Sequence, residues 1–360
     1  MNNTSLSLAD YGWSSHFQSQ PDPKELGTTA PVRVLAAHRG TIEVAGPSFI
    51  GSLSTHMLEE SDDEGRTTVG DWLLLDQQTH RPLRCLERHS LFKRREPGTG
   101  RSIQLIAANV DTLFIVSSCN QDFNLARLER FLTLARDAEV HPIVILTKAD
   151  LADDLSFYMA ETARLLPGLL VECLDARSRT DVARLKPWCG HGQTVALLGS
   201  SGVGKSTLAN TLLEDNVQAT RDVRGDDAKG RHTTTGRSLH RLSAGGWLLD
   251  TPGMRELQLT DSEHGLEGVF ADIVNLAAEC RFNDCCHQSE PGCAVLMAIE
   301  RGDLDQNRLR RYQKLIAENE TNRASLAERR SRDRAFGKMV KGTMKGKRLR
   351  QEIWTKTEGE

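Results

Sequence analysis

Nowhere in the 360 residues does an apolar run approach the roughly 18 residues that a membrane span requires. The opening stretch MNNTSLSLADYGW has neither the basic start nor the apolar core of a secretion signal. Both absences make the cytoplasm the expected location, with no membrane partner. Eight cysteines in that setting read as thiols or metal ligands rather than disulfides. Net charge is also small, at −3, but it hides an asymmetry. Between Thr321 and Arg350 eleven Lys/Arg face only Glu328 and Asp333, a local charge of +9, so the remainder carries −12. An acidic body with a basic tail suits a polyanionic partner such as nucleic acid; a solvated charged helix is the plainer alternative. The length allows two or three domains, each with its own core.

What is present is organised around Gly199-Ser200-Ser201-Gly202-Val203-Gly204-Lys205-Ser206-Thr207, which fits the phosphate-loop pattern G-x-x-x-x-G-K-[ST] at every required position. Its glycines let successive N–H groups turn toward phosphate oxygens where a Cβ would obstruct them. Lys205 is placed to reach the β- and γ-phosphates, and the Ser206 hydroxyl to coordinate Mg²⁺. Thr194 to Leu198 reads as the buried strand before the loop, and Thr207 to Leu213 as the helix after it. A glycine-rich turn without a ligand is the alternative.

Upstream, an alternating strand–helix pattern begins at Asp111 to Ser117, with a helix over Leu125 to Ala138 and a strand over His141 to Leu146. That strand runs into Thr147-Lys148-Ala149-Asp150, similar to the [N/T]-K-x-D guanine motif. A carboxylate at Asp150 can accept both the N1–H and the N2–H of guanine, a donor pair adenine lacks. Leu174-Asp175-Ala176-Arg177-Ser178 follows the strand Leu169 to Cys173, and Ala176 is the expected backbone support for the base. Beyond the phosphate loop, Gly230-Arg231-His232-Thr233-Thr234-Thr235 suits a switch loop, with Thr234 the candidate threonine. Asp250-Thr251-Pro252-Gly253 supplies D-x-x-G, Asp250 toward Mg²⁺ and the Gly253 N–H toward the γ-phosphate. The guanine motif precedes the phosphate loop by about fifty residues, the reverse of the usual GTPase order. The elements are therefore circularly permuted, which a compact fold with neighbouring termini tolerates.

Before this domain, five short strand candidates crowd into about sixty residues: 32–35, 41–44, 49–53, 71–75 and 84–88. Their spacing suits a small closed barrel of the OB type, which could bind nucleic acid, hold a protein or act as a spacer. Residues 1–30, polar and holding Pro21 and Pro23, read as a flexible leader. After the α/β domain, Cys280, Cys285, His287 and Cys293 pack three thiols and an imidazole into fourteen residues, a set that suits one structural Zn²⁺. Chemistry alone leaves the choice between Cys285 and Cys286 open. A group of buried reduced thiols is the alternative. Helical patterns over 294–299 and 305–335 flank this loop and lead into the basic tail, a plausible RNA-facing module.

A barrel followed by a permuted GTPase resembles the RsgA (YjeQ) family of small-subunit-dependent GTPases over residues from about 31 to 320. Gly70-Asp71-Trp72, Ala107-Ala108-Asn109-Val110-Asp111 and the histidine-containing threonine run are further matches. The resemblance implies GTP/GDP with Mg²⁺ as ligands, and late maturation of the small ribosomal subunit as the task. Stimulation by that subunit and its rRNA, other assembly factors as further partners and a monomeric chain go with it. It also favours Cys285 over Cys286 as the ligand. The expected architecture is multidomain: a leader 1–30, an OB barrel 31–100, a permuted P-loop GTPase domain 101–265, a helical zinc-binding domain 266–320 and a basic tail 321–360.

One absence bears on hydrolysis. Met254 stands where many GTPases carry a water-orienting Gln after D-x-x-G, so turnover by the chain alone should be slow. His232 is the chain's best candidate for positioning the water, against the plainer reading that it packs or contacts RNA. The rival functions are an ATPase or kinase without the guanine clamp, and a zinc-and-barrel RNA-binding protein with a vestigial nucleotide site.

Overall fold

A computed structural model describes residues 6–57, 65–95, 103–214, 237–250, 259 and 262–323. Five strands come first: β1 (Thr29–His38), β2 (Thr41–Ala45), β3 (Ile50–Ser54), β4 (Trp72–Asp76) and β5 (Pro82–Cys85). They are antiparallel in the spatial order β3-β2-β1-β4-β5. Strand alternation explains the arrangement. Ile42 and Val44 turn inward to join Val32, Val34, Leu53, Leu73 and Leu75, while Thr41 and Glu43 face solvent. The fifth strand ends at Cys85 rather than running to Arg88, and among the described residues β3 and β5 do not pair.

The reading of residues 1–30 as a flexible leader is corrected over 6–28. Tyr11 and Phe17 are 3% and 1% exposed, the latter within the short helix α1 (Ser15–Gln18). Tyr11 stacks on Trp247 with ring centres 5.7 Å apart, and Phe17 lies 5.7 Å from Trp72. A few aromatic anchors bury enough surface to fix a stretch whose average composition is polar.

β6 (Leu91–Arg95) and β7 (Ile103–Ala108) form a separate antiparallel pair. The chain then alternates through β8 (Thr112–Ser118), α2 (Leu125–Asp137), β9 (His141–Thr147), α3 (Leu155–Ala163), β10 (Leu170–Cys173), α4 (Arg179–Val182), β11 (Thr194–Gly199) and α5 (Lys205–Glu214). These strands are parallel in the order β10-β9-β8-β11. Every residue of β8 is buried, as is every residue of β9 except His141, because helices on the faces of a parallel sheet demand unbroken apolar strands. The Asn124 side chain accepts from Arg127 N at 3.1 Å and starts α2. The chain climbs outward from β8 to β10, then returns to β11 on the other side of β8. Ligands of open α/β sheets bind at such a reversal, beyond the carboxyl ends of the strands.

β12 (Arg237–Arg241) and β13 (Trp247–Asp250) complete the sheet, β13 parallel to β11 and β12 antiparallel to β13. β12 also pairs with β1, Ala36 opposite Ser238 and Ala37 opposite Arg237, so one sheet runs from the α/β unit into the antiparallel strands. Buried Arg33 pins this seam, donating to Tyr11 O at 2.6 Å, Asn109 O at 3.1 Å and Thr194 Oγ1 at 2.7 Å. Gly70 (φ +92°) is required here, since a Cβ would run into the Ala108 carbonyl. The neighbouring Asp71 is fully buried and held by Arg88 at 2.7 and 2.8 Å.

Four helices close the described chain: α6 (Glu263–Val269), α7 (Ala271–Ala278), α8 (Ala294–Arg301) and α9 (Gln306–Arg323). Helix α6 lies against α2, where Gly265 N donates to Asp137 Oδ1 at 2.7 Å. From α9, Arg308 and Arg311 reach Glu129 on α2 at 3.1 and 2.7 Å, and Arg308 also covers the Phe270 ring at 4.9 Å. Among the described residues no helix is long and apolar enough to cross a membrane. The basic tail beyond 323 lies outside the described residues.

Candidate nucleotide site and Cys/His cluster

The carboxyl ends of β9, β10, β11 and β13 all lie at the same edge of the sheet, because those strands run parallel. At β11, Gly199 lies against the Val116 carbonyl, and the chain turns through Ser200 to Gly204 before α5 begins at Lys205. Gly202 and Gly204 have φ of +79° and +93°, which a side chain would strain. Val203 and Leu208 anchor the turn in the core, while Ser201, Ser206 and Thr207 stay exposed at the helix start. Lys205 is largely buried and its ammonium donates to the Ser200 carbonyl.

Thr147 ends β9 fully buried, its hydroxyl 2.6 Å from Val203 O and 3.0 Å from Ser117 O. The first contact ties the T-K-x-D loop to the phosphate loop, so a threonine does here what its motif position alone did not reveal. Lys148 adopts φ +57°, turning the chain so that Ala149 and the exposed Asp150 emerge at the sheet edge. Asp150 Oδ2 accepts from Arg177 Nη2 at 2.9 Å, and Arg177 also grips Asp175, holding that carboxyl below its usual range. Ala176 is buried, and its carbonyl accepts from Thr211 Oγ1 at 2.7 Å, which fastens this third loop to α5. Asp250 closes β13, exposed and opposite Ser238 of β12. Thr147, Lys148, Ala149, Asp150, Ala176, residues 199–207 and Asp250 thus occupy one edge. His232, Thr234 and Gly253 lie outside the described residues. Arg177 was not among the sequence candidates. Its signal was its place in the Asp175-Ala176-Arg177 turn.

The second cluster lies between α7 and α8. The ligand atoms of Cys280, Cys285, His287 and Cys293 all fall within 4.8 Å of one another. Cys280 Sγ is 3.8 Å from Cys293 Sγ and 3.7 Å from His287 Nδ1, and His287 Nδ1 is 3.4 Å from Cys293 Sγ. Tetrahedral Zn–S bonds of about 2.3 Å place sulfurs about 3.8 Å apart, so the donor set fits zinc. Cys286 is exposed and its thiol turns to Asp284 O at 3.6 Å, which separates it from Cys285. Sequence reasoning missed Glu290. Its carboxylate accepts from Cys286 N, Gln288 N and Ser289 N at 2.8, 2.8 and 2.9 Å, which shape the loop and hold its pKa at about 2.

The RsgA GTPase family model matches residues 85–260. A Vibrio parahaemolyticus protein named small ribosomal subunit biogenesis GTPase RsgA 2 is 48% identical over 353 residues, 98% of this chain and 96% of that protein. A Mesorhizobium japonicum protein named small ribosomal subunit biogenesis GTPase RsgA is 48% identical over 322 residues, 89% of this chain and 92% of that protein. Among solved structures, YjeQ from Thermotoga maritima superposes with a TM-score of 0.57 at 22% identity, covering 81% of this chain and 98% of that one. YloQ, described as a circularly permuted GTPase, gives 0.57 at 23% identity over 83% of this chain and 97% of that one. The two superpositions give the fold, a circularly permuted GTPase with the guanine-type loop ahead of the phosphate loop. With nearly half of its residues shared along almost its whole length, this chain is a member of the RsgA GTPase family.

Proposed function

We propose that this chain hydrolyses GTP at the edge where β9, β10, β11 and β13 end and acts in the maturation of the small ribosomal subunit. The observation that carries the nucleotide site is the Thr147 hydroxyl 2.6 Å from Val203 O, which locks a guanine-type loop onto a phosphate loop. Asp150 accepts the two guanine donors, Ala176 backs the base, and Lys205 with the N–H groups of 199–207 holds the phosphates. Ser206 and Asp250 hold Mg²⁺, which when bound neutralises charge growing on the β- and γ-phosphates. Thr234 and Gly253 sense the γ-phosphate, and His232 orients the attacking water that Met254 cannot. Cys280, Cys285, His287 and Cys293 close a structural zinc site with no ligand position open to substrate.

The names of the relatives support the small subunit as partner, with its rRNA met by the basic tail and the antiparallel strands as an OB barrel. Residues 31–100, 101–265 and 266–320 act as barrel, GTPase and zinc domains of a cytoplasmic monomer, with other small-subunit assembly factors as further partners. GTP turnover measured with and without purified small subunits tests this reading. Slow turnover alone and strong acceleration by subunits are expected, lost in His232→Ala with GDP affinity intact. Equal turnover in both conditions, or equal affinity for ADP and GDP, would contradict it.

A further inference from the structure

The Asp150 carboxylate does not stand alone at its edge. Its Oδ2 accepts from Arg177 Nη2 at 2.9 Å, and Arg177 comes from the loop after β10 rather than from the T-K-x-D loop. The same guanidinium forks onto Asp175, with Nε 3.0 Å from Oδ1 and Nη2 2.9 Å from Oδ2. Asp175 Oδ1 also accepts from the Arg177 backbone N–H at 2.9 Å. The arginine is therefore aimed by its own loop before it meets Asp150. That loop is itself fastened on both sides. Ala176 O accepts from Thr211 Oγ1 of α5 at 2.7 Å, and Asp175 N donates to Asp181 Oδ2 at 3.0 Å. The Ser178 hydroxyl accepts from Asp181 N at 3.2 Å and starts α4. The side chains of Arg177, Asp150 and Asp175 are 68%, 32% and 24% exposed. Ion pairs this open to water stabilise a fold little, so bracing the sheet does not account for the pair.

We propose that Arg177 is a positioning residue that fixes the plane of the Asp150 carboxylate for two guanine bonds, and so sets discrimination against bases with one donor fewer. The inference rests on the reading of Asp150 as the guanine acceptor. An ionised carboxylate offers about four acceptor sites. Arg177 takes one and guanine needs two, so the ion pair stays in place when the base arrives. A carboxylate free to swing can still turn to meet a single N–H. Two parallel donors are met together only when its plane is already set. Asp150 follows the turn at Lys148 (φ +57°), and among the described residues Arg177 is the one side chain that holds it. The guanidinium also keeps Asp150 and Asp175 from facing each other as bare like charges. Thr211 belongs to the helix that starts at Lys205, so the helix behind the phosphate loop and the base reader are joined through Ala176 and Arg177.

The test titrates the full-length chain, Arg177→Ala and Arg177→Lys with GDP and with inosine diphosphate, whose base keeps the N1–H and lacks the N2 amine. Ordering one long side chain on binding costs up to about tenfold in affinity, so Arg177→Ala is expected to bind GDP about tenfold more weakly. Its affinity for inosine diphosphate is expected to fall by less than about threefold, so the preference for GDP shrinks. Arg177→Lys keeps the charge without the fork, and its preference is expected to lie between those of Arg177→Ala and the parent. GDP affinity in Arg177→Ala equal to that of the parent overturns the proposal. Tighter GDP binding overturns it too, because the arginine then competes for the carboxylate. An equal fall for both nucleotides also overturns it, assigning Arg177 to the shape of the turn around Ala176. A parent chain that binds ADP as tightly as GDP overturns the underlying reading instead, which separates the two failures.

Discussion

Thr147 and Cys293 are both buried at the ends of regular elements, yet what surrounds them differs. Thr147 sits beneath continuous apolar strands, with Ile143, Val144, Ile145 and Leu146 all fully buried before it. Around Cys293, which itself joins the core, the loop is Asn283, Asp284, Gln288, Ser289 and Glu290, and three of its backbone N–H groups gather on the Glu290 carboxylate. The nucleotide edge is therefore positioned by packing throughout, whereas in the polar Cys/His loop the proposed zinc would add order to what the core supplies at Cys293. The two regions should fail independently, and by different means.

Removing the metal gives the largest expected effect. Zinc affinity in such sites is worth about 10–16 kcal/mol of folding energy at neutral pH. Chelation, or Cys280→Ala, should release about one zinc per chain and open residues 280–293 to protease while GDP still binds. Metal analysis, limited proteolysis and a GDP titration read this together; loss of GDP binding in step with zinc would erase the distinction between the regions.

Glu129 joins the two regions, since its buried carboxylate carries both Arg308 and Arg311 of α9. Glu129→Ala leaves two largely buried guanidiniums without their shared partner and should cost about 3 kcal/mol, measured by denaturant unfolding. The helices after 262 should loosen before the parallel sheet does. A smaller effect is expected from Thr147→Val, which keeps the shape and deletes the hydroxyl bonded to Val203 O. The loss is about 1–2 kcal/mol, and GDP affinity should fall with it, because the phosphate loop loses its tie to the guanine loop. Unchanged zinc content in this variant would sharpen the comparison.

The smallest effect concerns pH. Glu25 accepts from Arg84 at 3.0 and 2.9 Å and from Asp22 N at 2.8 Å, which lowers its pKa from 4.5 to about 2. Because the folded value is depressed, its stabilisation is present above pH 4.5 and fades as pH falls toward 2. Proteolysis of residues 6–28 should rise over that window, and Glu25→Gln should flatten the rise.

The parallel strands were legible because burial on both faces writes itself as runs such as His141 to Leu146, and the phosphate loop because glycine is obligatory where φ is positive. Cys280, His287 and Cys293 of the Cys/His cluster were legible from spacing, whereas the choice of Cys285 over Cys286 came from the family resemblance. Three features were not. Tyr11 and Phe17 anchor a polar stretch through partners far away in sequence, Trp247 and Trp72. The pairing of β12 with β1 depends on register between segments about two hundred residues apart, which local pattern does not carry. Glu290 looked like any loop acid, since its role is with three backbone N–H groups that the sequence gives no sign of gathering.

The central claim is that the packed sheet presents Asp150 as the reader of guanine in a site shared with Lys205. The most direct measurement is titration of Asp150→Asn with GDP and with xanthosine diphosphate, whose carbonyl replaces guanine's N2 amine. Replacing the carboxylate by an amide removes one of its two acceptor oxygens, and the new amide N–H offers a donor to that carbonyl. GDP affinity should fall at least about a hundredfold while affinity for the xanthine nucleotide rises, with the fold unchanged by circular dichroism. A variant that binds GDP as tightly as the parent would contradict the claim.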